Sequence, residues 1–332
     1  MKKRLIILGR SMAGGLLVGL LLAATVSWAQ KKPTPLPSNP AIVYVMQKSW
    51  GHTNLMVVDE DGKNERTLIN GINGTGYGNH NPCWSPDGSF ISFGRTDGGV
   101  SPMENGIYRI SKDGTGLCMI TPTACTPVWG LGGIPRWAPV TNLILYFDGG
   151  PILVDGNSCP GGAVASSFPE FWGNVTWSPD GYRLATGIEN PPGGERVDLG
   201  LFSLSFDTET GRWTAKLEQN LTQTGLLSTA ALGQADWGNS SESIVLSAKL
   251  PGESNEDIWV IYLNDLENPV NLTRTPSVGE SNPSWSPLDT KIAYLRDNSI
   301  YVMASDGSNQ MKIAPSKPTS LRVMDPDWRR NQ

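Results

Sequence analysis

An all-β, six-bladed β-propeller is the fold this sequence predicts, and three observations predict it. A tryptophan-centred motif recurs six times, with 53, 40, 60, 48 and 43 residues from one Trp to the next, the spacing of propeller blades with loops of varied length. Short runs rich in Ile, Val, Tyr and Phe fill the intervals, punctuated by single Gly and Pro residues, as strands and tight turns require. The two chain ends are also complementary: the first repeat lacks its Trp strand, and the last Trp strand has nothing after it.

The anchors read Asn81-Pro-Cys-Trp-Ser-Pro-Asp-Gly88, Ile134-Pro-Arg-Trp-Ala-Pro139, Asn174-Val-Thr-Trp-Ser-Pro-Asp-Gly181, Gln234-Ala-Asp-Trp-Gly238, Asn282-Pro-Ser-Trp-Ser-Pro287 and Asp325-Pro-Asp-Trp328. Each is expected to be the innermost strand of a blade. Trp84, Trp137, Trp177, Trp237, Trp285 and Trp328 then serve as structural wedges between blades, because a large indole fills the space between twisted sheets. Ser-Pro fixes the backbone at the strand end, and Asp-Gly completes the turn because Gly accepts positive φ. Second strands such as Phe90–Phe93 and Lys291–Tyr294 follow, then third strands such as Gly106–Ile110 and Ser299–Met303, ending in Asp-Gly turns at 113–114 and 306–307. A less apolar fourth strand, for example 116–120, suits a wetter outer edge. At the start of the fold, Ala41–Met46, Thr53–Val58 and Glu65–Ile69 make three strands of a blade whose inner strand must come from Asp325–Trp328. Such closure removes exposed strand edges.

The domain reading is residues 1–29 as a signal peptide, 30–39 as a Pro-rich leader and 40–332 as the propeller. Lys2, Lys3 and Arg4 precede an apolar run from Met12 to Val26, and Ser27-Trp-Ala29 offers small residues at the two positions a signal peptidase reads. Retention of the segment as an anchor is the alternative, since Ile6–Trp28 nearly suffices to cross a bilayer. Both place the propeller outside the cytoplasm: secreted or periplasmic after cleavage, membrane-anchored without it. Cleavage would remove four cations and no acid, taking the net charge from −5 to about −9. That sign argues against nucleic acid and against an anionic membrane surface as partners.

An oxidising compartment permits disulfides among Cys83, Cys118, Cys125 and Cys159. Cys118 and Cys125 stand near enough in the chain for a local bridge. Cys83, directly before Trp84, reads as a small buried apolar residue.

Units of the form Asn-Pro-x-Trp-Ser-Pro-Asp-Gly, then Ile-Ser-Phe or Ile-Ala-Tyr, then Ile-Tyr-x-Met-x-x-Asp-Gly, seen here at Asn81–Phe93 and Asn282–Gly307, resemble the repeats of TolB-type propellers. The resemblance covers residues 40–332 and concerns only the propeller part of that family; the family's separate N-terminal α/β domain has no counterpart in the reading above. It implies the fold. Related repeats occur in periplasmic binding proteins, sensor ectodomains and peptidase propellers. The pattern is broken where Trp137 is followed by Ala-Pro-Val-Thr, Trp237 by Gly-Asn-Ser-Ser, and where Leu288-Asp-Thr replaces Asp-Gly.

Enzyme signatures are sparse. The sequence has no Gly-x-Ser-x-Gly elbow, phosphate-binding loop or dinucleotide fingerprint, and no Cys/His spacing for zinc; no cofactor or metal site is expected. His52 reads as a turn residue. The polar residues ahead of each Trp are expected to surround the channel mouth: His80, Asn81, Arg136, Asn174, Gln234, Asp236, Asn282, Asp325 and Asp327. They suit a non-enzymatic module binding a protein, peptide or glycan of the cell envelope. The alternative is a polysaccharide hydrolase or lyase in which Asp236, Asp325 and Asp327 supply a carboxylate pair. The Gly-rich loops 70–78 and 128–133 are further candidates for the mouth. Several Asn-x-Ser/Thr sequons, including Asn220-Leu-Thr222 and Asn271-Leu-Thr273, matter if the host glycosylates.

Overall fold

The computed structural model describes residues 41–49, 52–71, 78–96, 105–121, 134–147, 150–169, 172–189, 197–222, 235–250, 252–275, 277–317 and 322–330, all within one compact unit spanning 37–332. The signal segment, the leader and both Gly-rich loops other than Asn70, Gly71 and Gly78 lie outside the described residues.

Six antiparallel sheets form the blades. Blade one carries β1 (Ile42–Ser49), β2 (His52–Val58) and β3 (Arg66–Ile69). Blade two holds β4 (Asn79–Trp84), β5 (Phe90–Arg95), β6 (Gly106–Ser111) and β7 (Cys118–Met119). Blade three holds β8 (Arg136–Trp137), β9 (Leu143–Phe147), β10 (Pro151–Asp155) and β11 (Ala163–Val164). The short β12 (Ser166–Ser167) pairs in parallel with the outer strand of blade four, which comprises β13 (Trp172–Trp177), β14 (Arg183–Glu189), β15 (Val197–Asp207) and β16 (Arg212–Asn220). Blade five consists of β17 (Ala235–Trp237), β18 (Ser243–Ala248), β19 (Asp257–Tyr262) and β20 (Asp265–Asn271). Blade six consists of β21 (Glu280–Trp285), β22 (Lys291–Arg296), β23 (Ser299–Ala304) and β24 (Met311–Ala314). The last strand, β25 (Val323–Trp328), returns to blade one and pairs antiparallel with β1 in the register Ile42↔Trp328 and Met46↔Val323. The expected closure is present.

The second and third strands are apolar in runs rather than in alternation because blades cover them on both faces. Ile91, Phe93, Ile292 and Tyr294 are fully buried. The core divides into six clusters, one per blade junction, and each contains one anchor tryptophan. Trp84 lies with Val43 and Val57 of blade one, Trp137 with Ile107 of blade two, and Trp177 with Leu145 and Leu153 of blade three. Trp237 lies with Leu199 and Leu201 of blade four, Trp285 with Val245 and Val260 of blade five, and Trp328 with Ile300 and Val302 of blade six. None of the six is more than 6% exposed. The repeat therefore exists because every blade must present one indole to its predecessor.

The turns follow the expected chemistry even where the motif is broken. Ser85 and Ser178 donate to Asp87 and Asp180, and Gly88 and Gly181 close the turns at φ 64° and 74°. In blades five and six the same left-handed position is taken by Ser241 (φ 66°) and Asp289 (φ 54°). Asp289 gains a second use: its carboxylate accepts the Asn239 and Ser240 amides of blade five at 2.8 and 2.7 Å.

The disulfide differs from the expectation. Cys118 of β7 pairs with Cys159, not with Cys125, across a Cα–Cα distance of 6.1 Å; Cys125 lies outside the described residues. The cause is lateral packing of blades. The 156–161 turn of blade three lies against the outer edge of blade two, where Arg109 donates to the Gly156 and Asn157 carbonyls and Gly161 donates to Ile120. Cys83 is a buried free thiol, as expected, and burial pushes its pKa up to about 12.

Candidate functional site

Where the inner strands end, a central cavity of about 260 Å³ opens between the blades, lined by Pro86, Pro139, Pro179 and Pro287 of the strand-end turns together with the residues preceding the tryptophans. Those preceding residues are Cys83, Arg136, Thr176, Asp236, Ser284 and Asp327, one from each blade. The strands direct them inward because each Trp points outward into a junction, and neighbours along a strand face opposite ways.

Five of these six side chains stitch the ring together. Each accepts a hydrogen bond from the backbone N–H of the next blade's anchor. Asp327 accepts from Trp84 at 2.8 Å, Thr176 from Trp237 at 2.9 Å, Asp236 from Trp285 at 2.8 Å and Ser284 from Trp328 at 2.9 Å. The Cys83 sulfur takes the Trp137 N–H. An inner strand has no further strand to pair with, so its inward amides need such partners. Arg136 is the exception, since a guanidinium has no acceptor.

The channel carboxylates have unlike environments. Asp236 forms an ion pair and hydrogen bond with Arg330, which also donates to the Trp237 carbonyl at 3.1 Å. Burial raises the Asp327 pKa to about 6; Arg136, the Trp84 amide and Arg330 oppose the rise, and Asp236 adds to it. Asp325 sits deeper, accepting the Asn81 N–H at 3.2 Å and an Asn282 amide hydrogen at 2.9 Å, with its pKa raised by burial.

Asn81, Asn282 and Asp325 occupy one repeat position and share left-handed backbones, with φ of 47°, 55° and 52°. Register shifts mark bulges at this point in blades two and six. Asn and Asp tolerate that geometry better than other residues with a Cβ, so the Asn-Pro of the motif encodes a strand bulge first. His80 stacks on Gly94, where a Cβ would approach its ring to 2.1 Å, and burial lowers its pKa to about 4; it is neutral at physiological pH. The Asn174 side chain and Gln234 lie outside the described residues.

Of the sequence-predicted residues, the structure thus brings Arg136, Asp236 and Asp327 together around the cavity, and groups Asn81, Asn282 and Asp325 beneath them. His52 begins β2 rather than preceding it. Sequence reasoning missed Cys83, Thr176, Ser284 and Arg330. The signal for the first three is present, since all directly precede an anchor Trp, but small or neutral side chains at that position do not stand out as ligand-facing.

Away from the channel, the two Asn-Leu-Thr sequons are internal. Asn220 donates to Asp198 and Asn271 to Asp257, both at 2.6 Å, while the Thr222 and Thr273 hydroxyls accept the Leu199 and Ile258 amides. Both threonines are buried, so these Asn-Leu-Thr sequences are repeat elements of blades four and five. Beside Asp257, the fully buried Glu280 accepts from Thr275 at 2.5 Å and faces Arg296 at 3.7 Å. Burial, offset by Thr275 and reinforced by Asp257, moves its pKa to about 7. Among the described residues no group of three His, Cys, Asp or Glu side chains could hold a metal ion, and no helix is long and apolar enough to cross a membrane.

No family model and no curated protein sequence matches this chain. Solved structures do. TolB from Acinetobacter baumannii superposes with a TM-score of 0.60 at 19% identity, over 87% of this chain and 66% of that one. A putative TolB from Agrobacterium tumefaciens gives 0.52 at 16% identity, over 83% and 89%. A chain of the nidogen/laminin complex gives 0.57 at 9% identity, over 87% and 98%. The protein is a six-bladed β-propeller structurally related to TolB-like proteins at low sequence identity. This chain spans about two thirds of the length of the Acinetobacter protein.

Proposed function

We propose that this protein is an extracytoplasmic, non-enzymatic binding module that receives a protein segment, peptide or envelope glycan at the cavity formed where its inner strands end. The observation that carries the reading is the composition of the rim. Val140, Tyr182 and Leu288 are 58%, 63% and 81% exposed and belong to the strand-end turns whose prolines line the cavity. Turns favour small polar residues, so large apolar ones there suit contact with a partner. The cavity's acids support the same reading, since Asp236 and Asp327 are both occupied in joining blades. The basic and apolar first 29 residues support export, as does the Cys118–Cys159 bridge.

A capture experiment from the native envelope and medium, paired with peptide and glycan arrays, tests this. A Val140→Ser, Tyr182→Ser, Leu288→Ser variant should fold normally and lose the ligands the wild type retains. Equal capture by both proteins would overturn it. One observation favours the hydrolase or lyase reading: Asp327 has a raised pKa beside a second carboxylate, Asp236. Release of reducing or unsaturated ends from an envelope polysaccharide by the wild type, and not by Asp327→Asn, would establish that reading instead.

A further inference from the structure

We infer that Arg136 anchors a carboxylate-binding site in the central channel, one that takes a monoanionic chain end carrying an N–H donor beside its carboxylate. The inference rests on the binding reading above and names the chemistry of its ligand.

The inference comes from the one irregular position in an otherwise uniform ring. At five junctions the side chain before Trp accepts the next anchor's amide. At the junction of blades three and four that side chain is Arg136, which is 9% exposed and can only donate. One of its donors reaches the Pro135 carbonyl at 3.1 Å. Among the described residues no carboxylate lies within ion-pair distance of it, and Arg136 lines the cavity. Asp325 and Asp327 offset its charge through space without bonding to it, so its remaining donors make no bond to protein among the described residues. The Trp177 backbone N–H receives no acceptor from the Arg136 side chain, although the Trp177 indole N–H donates to the Arg136 carbonyl at 3.3 Å. Both needs have one chemical solution. A carboxylate places one oxygen where the Thr176 hydroxyl stands at the next junction, 2.9 Å from a Trp amide, and turns its other oxygen to the guanidinium.

The surroundings select among anions. Among the described residues, Asp236 and Asp327 line the cavity with Arg136 and Arg330, Asp325 lies close by, and Arg330 pairs with Asp236 and also acts on Asp327. A dianion such as phosphate meets these carboxyl groups unfavourably, whereas a monocarboxylate matches the guanidinium of Arg136, which makes no salt bridge among the described residues. One Asp327 oxygen is held by Trp84; the other is available to accept an N–H. The two features sit side by side in the terminal residue of a peptide and in an N-acylated amino acid. A cavity of about 260 Å³ admits such an end and excludes a folded element.

Calorimetric titration distinguishes the sources and tests the site. The probes are N-acetylalanine, N-acetylalanine amide, and a ten-residue Gly-Ser peptide ending in Ala with a free or amidated C-terminus. The wild type should bind a free acid about tenfold more tightly than its amide, a difference of about 1.4 kcal/mol. Preference confined to the peptide identifies a chain end as ligand, and preference shared by N-acetylalanine identifies the small acid. Arg136→Thr installs the acceptor used at the next junction, so it should abolish the preference while its melting temperature holds or rises; Arg136→Gln provides a second test of the lost preference. Equal binding of acid and amide, binding of neither, tighter binding of inorganic phosphate, or a preference that survives in both variants would overturn the site. A partner lost by the rim variant but kept by Arg136→Thr would leave the binding reading standing and remove this inference alone.

Discussion

The junction of blades five and six and the junction of blades three and four hold the same architecture with opposite charges. At the first, Asp236 accepts the Trp285 amide and pairs with Arg330. At the second, Arg136 stands at the equivalent place and accepts nothing. One repeat position therefore carries an architectural duty in most blades and is released from it in one. A charged residue facing a propeller channel is evidence for a ligand only after its inter-blade bonds have been counted.

The largest effects should come from the indoles, which do not depend on this difference. Trp285→Ala and Trp177→Ala should each cost about 3–5 kcal/mol by urea unfolding, through the cavity each leaves. A large disparity between the two would show that the charge at the preceding position, rather than the wedge, governs the junction. Asp236→Ala should approach the same cost, about 3–5 kcal/mol, because it leaves the partly buried Arg330 without its counter-charge and the Trp285 amide without its acceptor. Arg136→Thr should cost nothing. If both variants destabilise alike, the two junctions are not different in kind.

Next in size is the outer clamp between blades two and three. Cys159→Ser opens a loop of 41 residues, for an expected loss of about 2–4 kcal/mol under oxidising conditions and none in reductant. A smaller effect is pH-dependent. The folded pKa of Glu280, about 7, lies above the ordinary glutamate value near 4.3. The folded state thus holds a proton that the unfolded chain releases, and stability falls as pH rises from about 4 to 7. Glu280→Gln should flatten that part of the stability–pH curve. A slope of the same size in the variant would move the cause to Asp327, whose folded pKa is about 6. Smallest, Thr176→Val should cost about 1–3 kcal/mol by orphaning the Trp237 amide. A neutral result would weaken the stitching scheme at its simplest position.

The anchors, the turn residues and the complementary chain ends were legible as sequence because each is a local pattern repeated around a ring. Even the broken turns at Ser241 and Asp289 kept a left-handed residue at the expected place. The channel was legible only in part. Arg136, Asp236 and Asp327 stand out as polar residues ahead of a Trp, while Cys83, Thr176 and Ser284 do the same stitching as the two acids with side chains that attract no notice. Asn81 and Asn282 read as ligand-facing polar groups, and their backbone angles show that bulge formation also determines them.

The sequence by itself determined the number of blades, the wedge in each and the way the ring closes, because strand periodicity and turn chemistry act between residues close in the chain. Only the tertiary structure decided which cysteine Cys118 meets, that the Asn-Leu-Thr segments are internal, and which channel charges are already satisfied. Those outcomes depend on contacts between neighbouring blades, and lateral packing joins residues whose separation along the chain carries no trace of it.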